Sequence, residues 1–462
     1  MMDTEKNDDN NKVHSRLGRF LYSLGAVPSA LPYNMISASF VFFYVTIKHL
    51  DLGLSGLVWL IYGIWNAIND PLIGFYMDKK KTKWGRRIPY IVVGTIPLTI
   101  GFIFLWWVPY SSSDQIFIFL HALLMLFIFD LGFTLCMTGW SSLYTEMYET
   151  EEERASVVAI KDLIAFISSF IGILIPPLVA AAISWEFTGL ILGLIVPITM
   201  LLSILGSKEK KEYQIDKPLP IIPALKETFS NKPFLVITIT YTLIDFTFGL
   251  TIMVLPLYAK YALLVEEGME GFAAGGVAIG IIAAIPFWRW IYANKGPKYG
   301  LLLAIIIYSL TIWPLFLIND FWILVFFTIF PGLGVSGMLM TEPSISAAID
   351  YDEIRIKKRR EATYNGILTL IARLSIVLSG ITLIIVQEIT GFDQTIEDPL
   401  LQPEEAVIGL KSLVSLVPVL GGILAALIFA MYPINLTNFK DMQQKLKVLH
   451  EERKEKLEKE KI

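Results

Sequence analysis

The sequence predicts an all-α integral membrane protein: twelve transmembrane helices in two pseudo-symmetric six-helix bundles. Three observations predict it. Windows of about twenty nearly uncharged residues recur from end to end. Lys and Arg gather in every second connection between those windows. The two halves of the chain echo each other. Of 462 residues, 55% are hydrophobic and 17% charged, against about a quarter charged in soluble domains. The apolar windows do not alternate with polar residues, which argues against barrel strands.

The spans run approximately over 17–47, 55–77, 88–109, 115–147, 156–183, 187–206, 233–262, 272–293, 299–318, 321–349, 361–389 and 407–432. The polar start "MMDTEKNDDNNK" precedes the first span and lacks the apolar core of a signal peptide. Lys79, Lys80, Lys81, Lys83, Arg86 and Arg87 separate the second span from the third. Tyr110–Asp114, between the third and fourth, has no basic residue. Lys208, Lys210, Lys211, Lys217, Lys226 and Lys232 separate the sixth from the seventh. Arg355, Lys357, Lys358, Arg359 and Arg360 separate the tenth from the eleventh, and Gly391–Gly409 before the twelfth carries acids only. By the positive-inside rule the even connections and both termini face the cytoplasm of a multi-pass plasma-membrane protein.

The central connection, with Pro218, Pro220 and Pro223, divides the chain. The expected organisation is 1–206 as the N-terminal bundle, 207–232 as linker, 233–432 as the C-terminal bundle and 433–462 as a charged tail. "YTEMYETEEERASVVAIKDLIAFISSFIG" after span four resembles "AAIDYDEIRIKKRREATYNGILTLIARLSIVLSG" after span ten, each passing from acids through arginine into a helix. "FYMDKKKTKWGRR" is matched more weakly by "WIYANKGPKYG" after span eight. Paired six-helix halves are the build of many secondary transporters.

Several classes are excluded by what the sequence lacks. The single cysteine, Cys136, allows no internal disulfide and reads as a small buried hydrophobe. The four histidines are scattered, no metal-ligand spacing appears and no G-x4-G-K-[ST] loop supports ATP-driven transport. No soluble domain is large enough for separate catalysis, so the chain is not expected to be an enzyme. No nucleic-acid partner is expected, and a monomer in the lipid bilayer is. The "NLT" at Asn435 falls on the cytoplasmic side and is not read as a glycosylation acceptor. The tail "FKDMQQKLKVLHEERKEKLEKEKI" places Phe439, Met442, Leu446 and Leu449 at helical spacing, a charged amphipathic helix on the membrane surface or free in the cytoplasm.

Gly74, Asp78, Gly85, Arg86 and Arg87 form a G-x3-D…G-R-R connection that resembles that of the major facilitator superfamily. "NDPLIGFYMD" running into "KWGRRIPYIVVG", with "IDYDE" followed by "RRE", is similar to the glycoside–pentoside–hexuronide:cation symporters, the melibiose permease-like group, to which lysolipid transporters are related. The resemblance implies the major facilitator fold, cation-coupled import of a small-molecule substrate and alternating access. It also implies two aspartates four residues apart in span two, where this chain has Asn66 and Asp70. The sugar-binding carboxylates it implies in spans one and four are Ala30 and Cys136 here. The span-four tryptophan is kept as Trp140 and the span-eleven basic residue as Arg373. "GAVPSALP" in span one leans towards the lysolipid branch.

Asp70 is the first candidate residue. A mid-membrane carboxylate costs about 2.5–3.5 kcal/mol on insertion scales, so such groups tend to be functional. Asn66 lies one turn earlier on the same face. Pro71 has no N–H, which leaves the Ala67 carbonyl without its helical partner. Asp70, Asn66 and Ala67 together offer oxygens suited to Na+, or a raised-pKa carboxyl suited to H+; the alternative is a cap or salt bridge to a neighbouring helix. No other cofactor is expected. Arg373, Trp140, Asp130 and Asp245 are the substrate-binding candidates. Arg373 either compensates Asp70, forks onto a substrate oxyanion or pairs structurally. Trp140 stacks on a sugar ring or packs. Asp130 and Asp245 replace the missing carboxylates or bond a neighbouring helix. Asp78, Arg86, Arg87, Glu146, Glu149, Glu153, Asp350 and Arg360 are candidates for a cytoplasmic gate, or mark topology alone. Asp162 beside Lys161 reads as a self-satisfied pair, and Glu342 before Pro343 as a kink with a carboxylate.

The expected function is cation-coupled symport of a sugar- or glycoside-like solute. Within transport the alternative is a carrier for a lysolipid, other amphiphile or organic anion. Outside it, the alternatives are a non-transporting sensor or scaffold and an integral membrane enzyme.

Overall fold

Twelve helices long and apolar enough to cross a membrane follow one another in a computed structural model, which describes residues 15–79, 85, 87–148, 150–209, 228–357, 361–396 and 398–459. They are α1 (Arg16–Ile47), α2 (Leu52–Gly74), α3 (Ile88–Leu105), α4 (Gln115–Tyr144), α5 (Glu152–Ala182), α6 (Trp185–Leu205), α7 (Lys232–Leu263), α8 (Gly271–Lys295), α9 (Pro297–Leu317), α10 (Phe321–Ile356), α11 (Thr363–Thr390) and α12 (Glu404–Ala430). A thirteenth helix, α13, covers Leu436–Lys459. In oil a helix satisfies its own backbone, which is why continuous apolar runs fold this way. Polar residues start them: the side chains of Ser15, Thr150, Ser184 and Asp320 accept from the backbone N–H three residues on. α10 runs on to Ile356, past the expected limit at 349, because the acidic stretch after Ile349 is helical and half of it is buried.

The described residues divide into two compact units, one from 1–219, 252–275 and 376–410, the other from 220–251, 276–375 and 411–462. The 252–275 and 376–410 stretches of the second sequence half thus pack with the first unit.

In the first unit, α3 and α4 cross so closely that a Cβ on Gly132 would collide with the Leu98 backbone nitrogen. Small residues at a membrane helix crossing let backbones touch and dispersion act without side-chain ordering. Gly132 is two residues from Asp130, so this crossing fixes the height and rotation of that carboxylate. The later half of α11 rests on α2 in the same way. A Cβ on Gly56 would lie 2.7 Å from the Gly380 carbonyl oxygen, and one on Gly380 2.6 Å from the Leu60 nitrogen. Trp106 and Trp185 stack at 5.5 Å beside Phe43 and close the end of the unit away from the basic connections.

In the second unit, the Asn231 amide donates to the Ala348 carbonyl at 2.9 Å and to the Tyr364 hydroxyl at 3.1 Å, tying α7 to α10 and α11. Lys298 donates to the carbonyls of Ala430 and Tyr432, neutralising the last turn of α12. The tail corrects the sequence expectation. α13 is not free but packs along α10: Met442 and Leu446 are buried, and His450 Nε2 is 3.0 Å from Glu353 Oε1. Amphipathic spacing gave the stripe; the partner is the half-apolar, half-acidic end of α10.

Candidate functional site

Tyr62, Asn66, Asn69 and Asp70 fall at positions i, i+4, i+7 and i+8 of α2, a polar stripe on one face of an apolar span. Asp130 and Thr134 are one turn apart on α4. The two stripes meet. Asp130 is 1% exposed. Its Oδ1 accepts from the Asn66 amide at 2.6 Å and the Tyr62 hydroxyl at 3.3 Å, and its Oδ2 from the Asn69 amide at 2.8 Å. These three donors are neutral, so they stabilise the carboxylate without cancelling its charge. Asn69 also donates to Thr134 Oγ1 at 3.1 Å, and Thr134 donates on to Asp70 Oδ1 at 2.8 Å. A continuous chain of hydrogen bonds therefore links Asp130 to Asp70. Asp130 and Asn69 are buried and Asp70 is half-buried. Asn66 Oδ1 is buried with no hydrogen-bond partner. An orphaned buried acceptor is costly, by about 1–3 kcal/mol, and calls for a cation or donor.

Asp130, expected among the substrate groups, is thus placed with Asp70 and Asn66. Pro71 lies inside the α2 helix, leaving the Ala67 carbonyl without an N–H four residues on. Tyr62, Asn69 and Thr134 were missed. The i, i+4, i+7 spacing in α2 was a usable signal for the first two, whereas Thr134 needs the rotation of α4 to be known.

In the second unit, Arg373 stands at the break between the two helical segments of α11, Glu361–Ala372 and Leu374–Thr390. Two residues on, Ser375 Oγ donates to Asp245 Oδ2 at 2.6 Å. Asp245 is exposed, Arg373 is half-buried, and the two charges interact. An acid, a base and a hydroxyl are thereby grouped near the middle of α7 and α11.

Trp140 is 6% exposed. Its Nε1–H donates to the Tyr22 carbonyl at 3.2 Å and to Ser203 Oγ at 3.1 Å, and its ring stacks on Tyr22 at 5.2 Å. One ring face and the N–H are occupied inside α1, α4 and α6. Cys136 is buried and donates to the Ile91 carbonyl at 3.2 Å; Ala30 is buried on α1.

At the basic end, Arg86 and Arg360 lie outside the described residues, as do Glu149 and the side chains of Asp78 and Glu146. The Arg87 backbone N–H donates to Glu209 Oε2 at 3.0 Å, and the Glu209 carboxylate fills the space beside Gly85. Glu209, absent from the sequence candidates, holds the turn before α3. Glu153 sits in the first turn of α5, its N–H capped by Thr150. Asp350 is half-buried on α10, next to Asp352 (1% exposed) and Glu353 (0%). Lys161 and Asp162 are 3.7 Å apart, a local pair. Glu342 and Pro343 are exposed and open the last segment of α10.

Twelve apolar spans, with a buried and a half-buried carboxylate linked across facing helices, define a multi-pass membrane transporter. The profile of the MFS/sugar transport protein family matches residues 21–436, and the chain belongs to that family, with the major facilitator fold. The sodium-dependent lysophosphatidylcholine symporter 1 of Gallus gallus is 22% identical, covering 94% of this chain and 89% of its own. The isoprimeverose transporter of Lactiplantibacillus pentosus is 22% identical over 62% of each chain. Among solved structures, a bacterial homologue of the human lysosomal transporter Spinster superposes with a TM-score of 0.65 at 16% identity, over 92% of this chain and 97% of that one.

Proposed function

We propose that this protein is a cation-coupled symporter working by alternating access, with both termini and the basic connections on the cytoplasmic side of the plasma membrane. One observation carries the coupling role: two carboxylates, Asp130 and Asp70, joined through Asn69 and Thr134 beside the orphaned Asn66 Oδ1. Such a set of hard oxygens takes Na+, or H+ on Asp70. Binding would draw the Asn66 oxygen and both carboxylates onto one ion, drawing α2 and α4 together. The substrate would engage Arg373 and Asp245, since an exposed acid beside a half-buried base at mid-span is costly against lipid and suits a water-filled hollow.

The substrate we favour is a sugar- or glycoside-like solute, in keeping with the family's description. A lysolipid is the second reading. It is favoured by the near full-length match to the lysophosphatidylcholine symporter, against partial coverage for the isoprimeverose transporter, with Arg373 then reading an anionic headgroup. Uptake into proteoliposomes under an imposed Na+ or H+ gradient, with a panel of glycosides and lysolipids, tests both. Accumulation of a glycoside that collapses with the gradient supports the first reading; accumulation of a lysolipid alone selects the second. No gradient-driven uptake of any member overturns the symport reading.

A further inference from the structure

The turn between α7 and α8, residues 264–270, is docked on the first unit. Gly268 has a φ of 94° and is buried; a Cβ there would lie 2.9 Å from Ala181 Cβ and 3.3 Å from the Pro177 carbonyl of α5. Two residues on, Glu270 is 4% exposed. It lines a cavity with Ser39 and Phe42 of α1, Pro177 of α5, Trp185 of α6 and Pro256 of α7. Among the described lining residues Glu270 is the only titratable group; Ser39 supplies a hydroxyl and Trp185 an indole N–H, and the rest are apolar. The surrounding charges are engaged elsewhere. Lys260 pairs with exposed Glu267 at 3.0 Å and lies 5.8 Å from the centre of the Phe42 ring. Lys48 of α1 pairs with Glu186 of α6 at 3.3 Å. A carboxyl has been sealed into an apolar hollow, and the coupling cluster makes no use of it.

We propose that Glu270 is a proton-binding site apart from the Asp130–Asp70 cluster, and that it latches the 264–270 turn onto α1, α5 and α6. Protonated, the carboxyl seats among Phe42, Pro177 and Trp185; ionised, it moves to water and the turn lifts. Burial pushes the seated carboxyl up to about 7, against the pull of the backbone N–H groups of Gly268 and Glu270 itself; Glu267 raises it further and Lys260 lowers it. The lifted carboxyl returns to its ordinary value near 4.5. The seated form is therefore fully favoured below that ordinary value, and the preference is lost as pH rises towards 7. No residue is shared with the Asp130–Asp70 cluster, so the latch stands whether the coupling ion is Na+ or H+.

The test labels Ser39→Cys with a polar maleimide in the purified full-length protein in detergent. Labelling is measured at about pH 5.5 and about pH 8, on either side of the transition. Ser112→Cys, at an exposed loop position, corrects for thiol ionisation, and protein without an added cysteine corrects for buried Cys136. Corrected labelling of Ser39→Cys is expected to rise at least about three-fold between the two pH values, within the range that linkage allows. In Glu270→Gln the rise disappears and labelling stays low, with an unchanged thermal transition at the lower pH showing that the variant is folded. In Glu267→Gln the rise persists. Labelling that is flat in the parent, an equal rise in Glu270→Gln, or loss of the rise in Glu267→Gln as well would overturn the proposal.

Discussion

Thr134 donates its hydroxyl to Asp70 at 2.8 Å while accepting the Asn69 amide at 3.1 Å. A single hydroxyl thus relays between α2 and α4, and the state of one carboxylate is felt by the other. Thr134→Val keeps the shape and removes the relay. On the Na+ reading of the site, NaCl at a fixed ionic strength against choline chloride is expected to raise the Tm of the purified parent by mass action. The variant should need about ten times more Na+ for the same rise, one lost charge-assisted hydrogen bond being about 1.5 kcal/mol. An unchanged Na+ titration counts against Thr134 as part of the site.

Asp130→Asn sets an amide against the Asn66 and Asn69 amides, so at least one buried donor loses its acceptor. Unfolding in detergent should show a loss of about 2–3 kcal/mol. Asp70→Asn, at a half-buried position with Thr134 as its partner, should cost about 1 kcal/mol or less and abolish the Na+ response. Equal stability losses in the two variants would contradict this division of roles.

Trp140→Phe removes two N–H bonds to Tyr22 and Ser203 and weakens a stacked pair. We expect a loss of about 2 kcal/mol in stability. The apparent affinity for whichever solute the uptake panel identifies should stay within about two-fold, since the ring is packed within the bundle. A large rise in KM at unchanged Tm would return Trp140 to the substrate.

Leu446→Glu places a charge in the seam between α13 and α10, where Leu446 is 8% exposed. Release of α13 should raise the rate of tryptic cleavage at Lys440, Lys445 and Lys447 by about ten-fold, as about 1.4 kcal/mol of docking is lost. An unaltered cleavage rate would mean that Met442 and His450 hold the helix unaided.

The twelve spans could be read from the chain because lipid leaves a helix no partner for its backbone but itself, so every crossing had to be a long apolar run. The site was only partly legible. Asp70, Asn66 and Asp130 stand out in the sequence as polar groups in oil, but spacing alone does not show that Asp130 bonds Asn66. What joins it to Asn66 is the rotation of α4, fixed by Gly132 against Leu98; that is a long-range packing fact that no local spacing encodes. Thr134 was invisible because a threonine in a membrane helix usually bonds its own preceding turn. The tail failed for a similar reason: Met442 and Leu446 announce an apolar stripe, but a stripe names no partner.

Gly132→Ala tests that packing directly. The methyl would drive α3 from α4, costing about 1–3 kcal/mol, and should blunt the Na+ response through Asp130 although residue 132 touches no ion. A destabilised protein with a normal Na+ titration would show that the cluster tolerates a shifted α4.

The meeting of Gly56 with Gly380 carries a mechanical consequence. The two backbones meet with no side chain between them, while Leu383 and Ile384 pack against the flank of Gly56, so parting the helices sacrifices dispersion both at the backbone and along those two side chains. Such a close approach holds α2 and α11 at one register, which suits the alternating-access cycle proposed above.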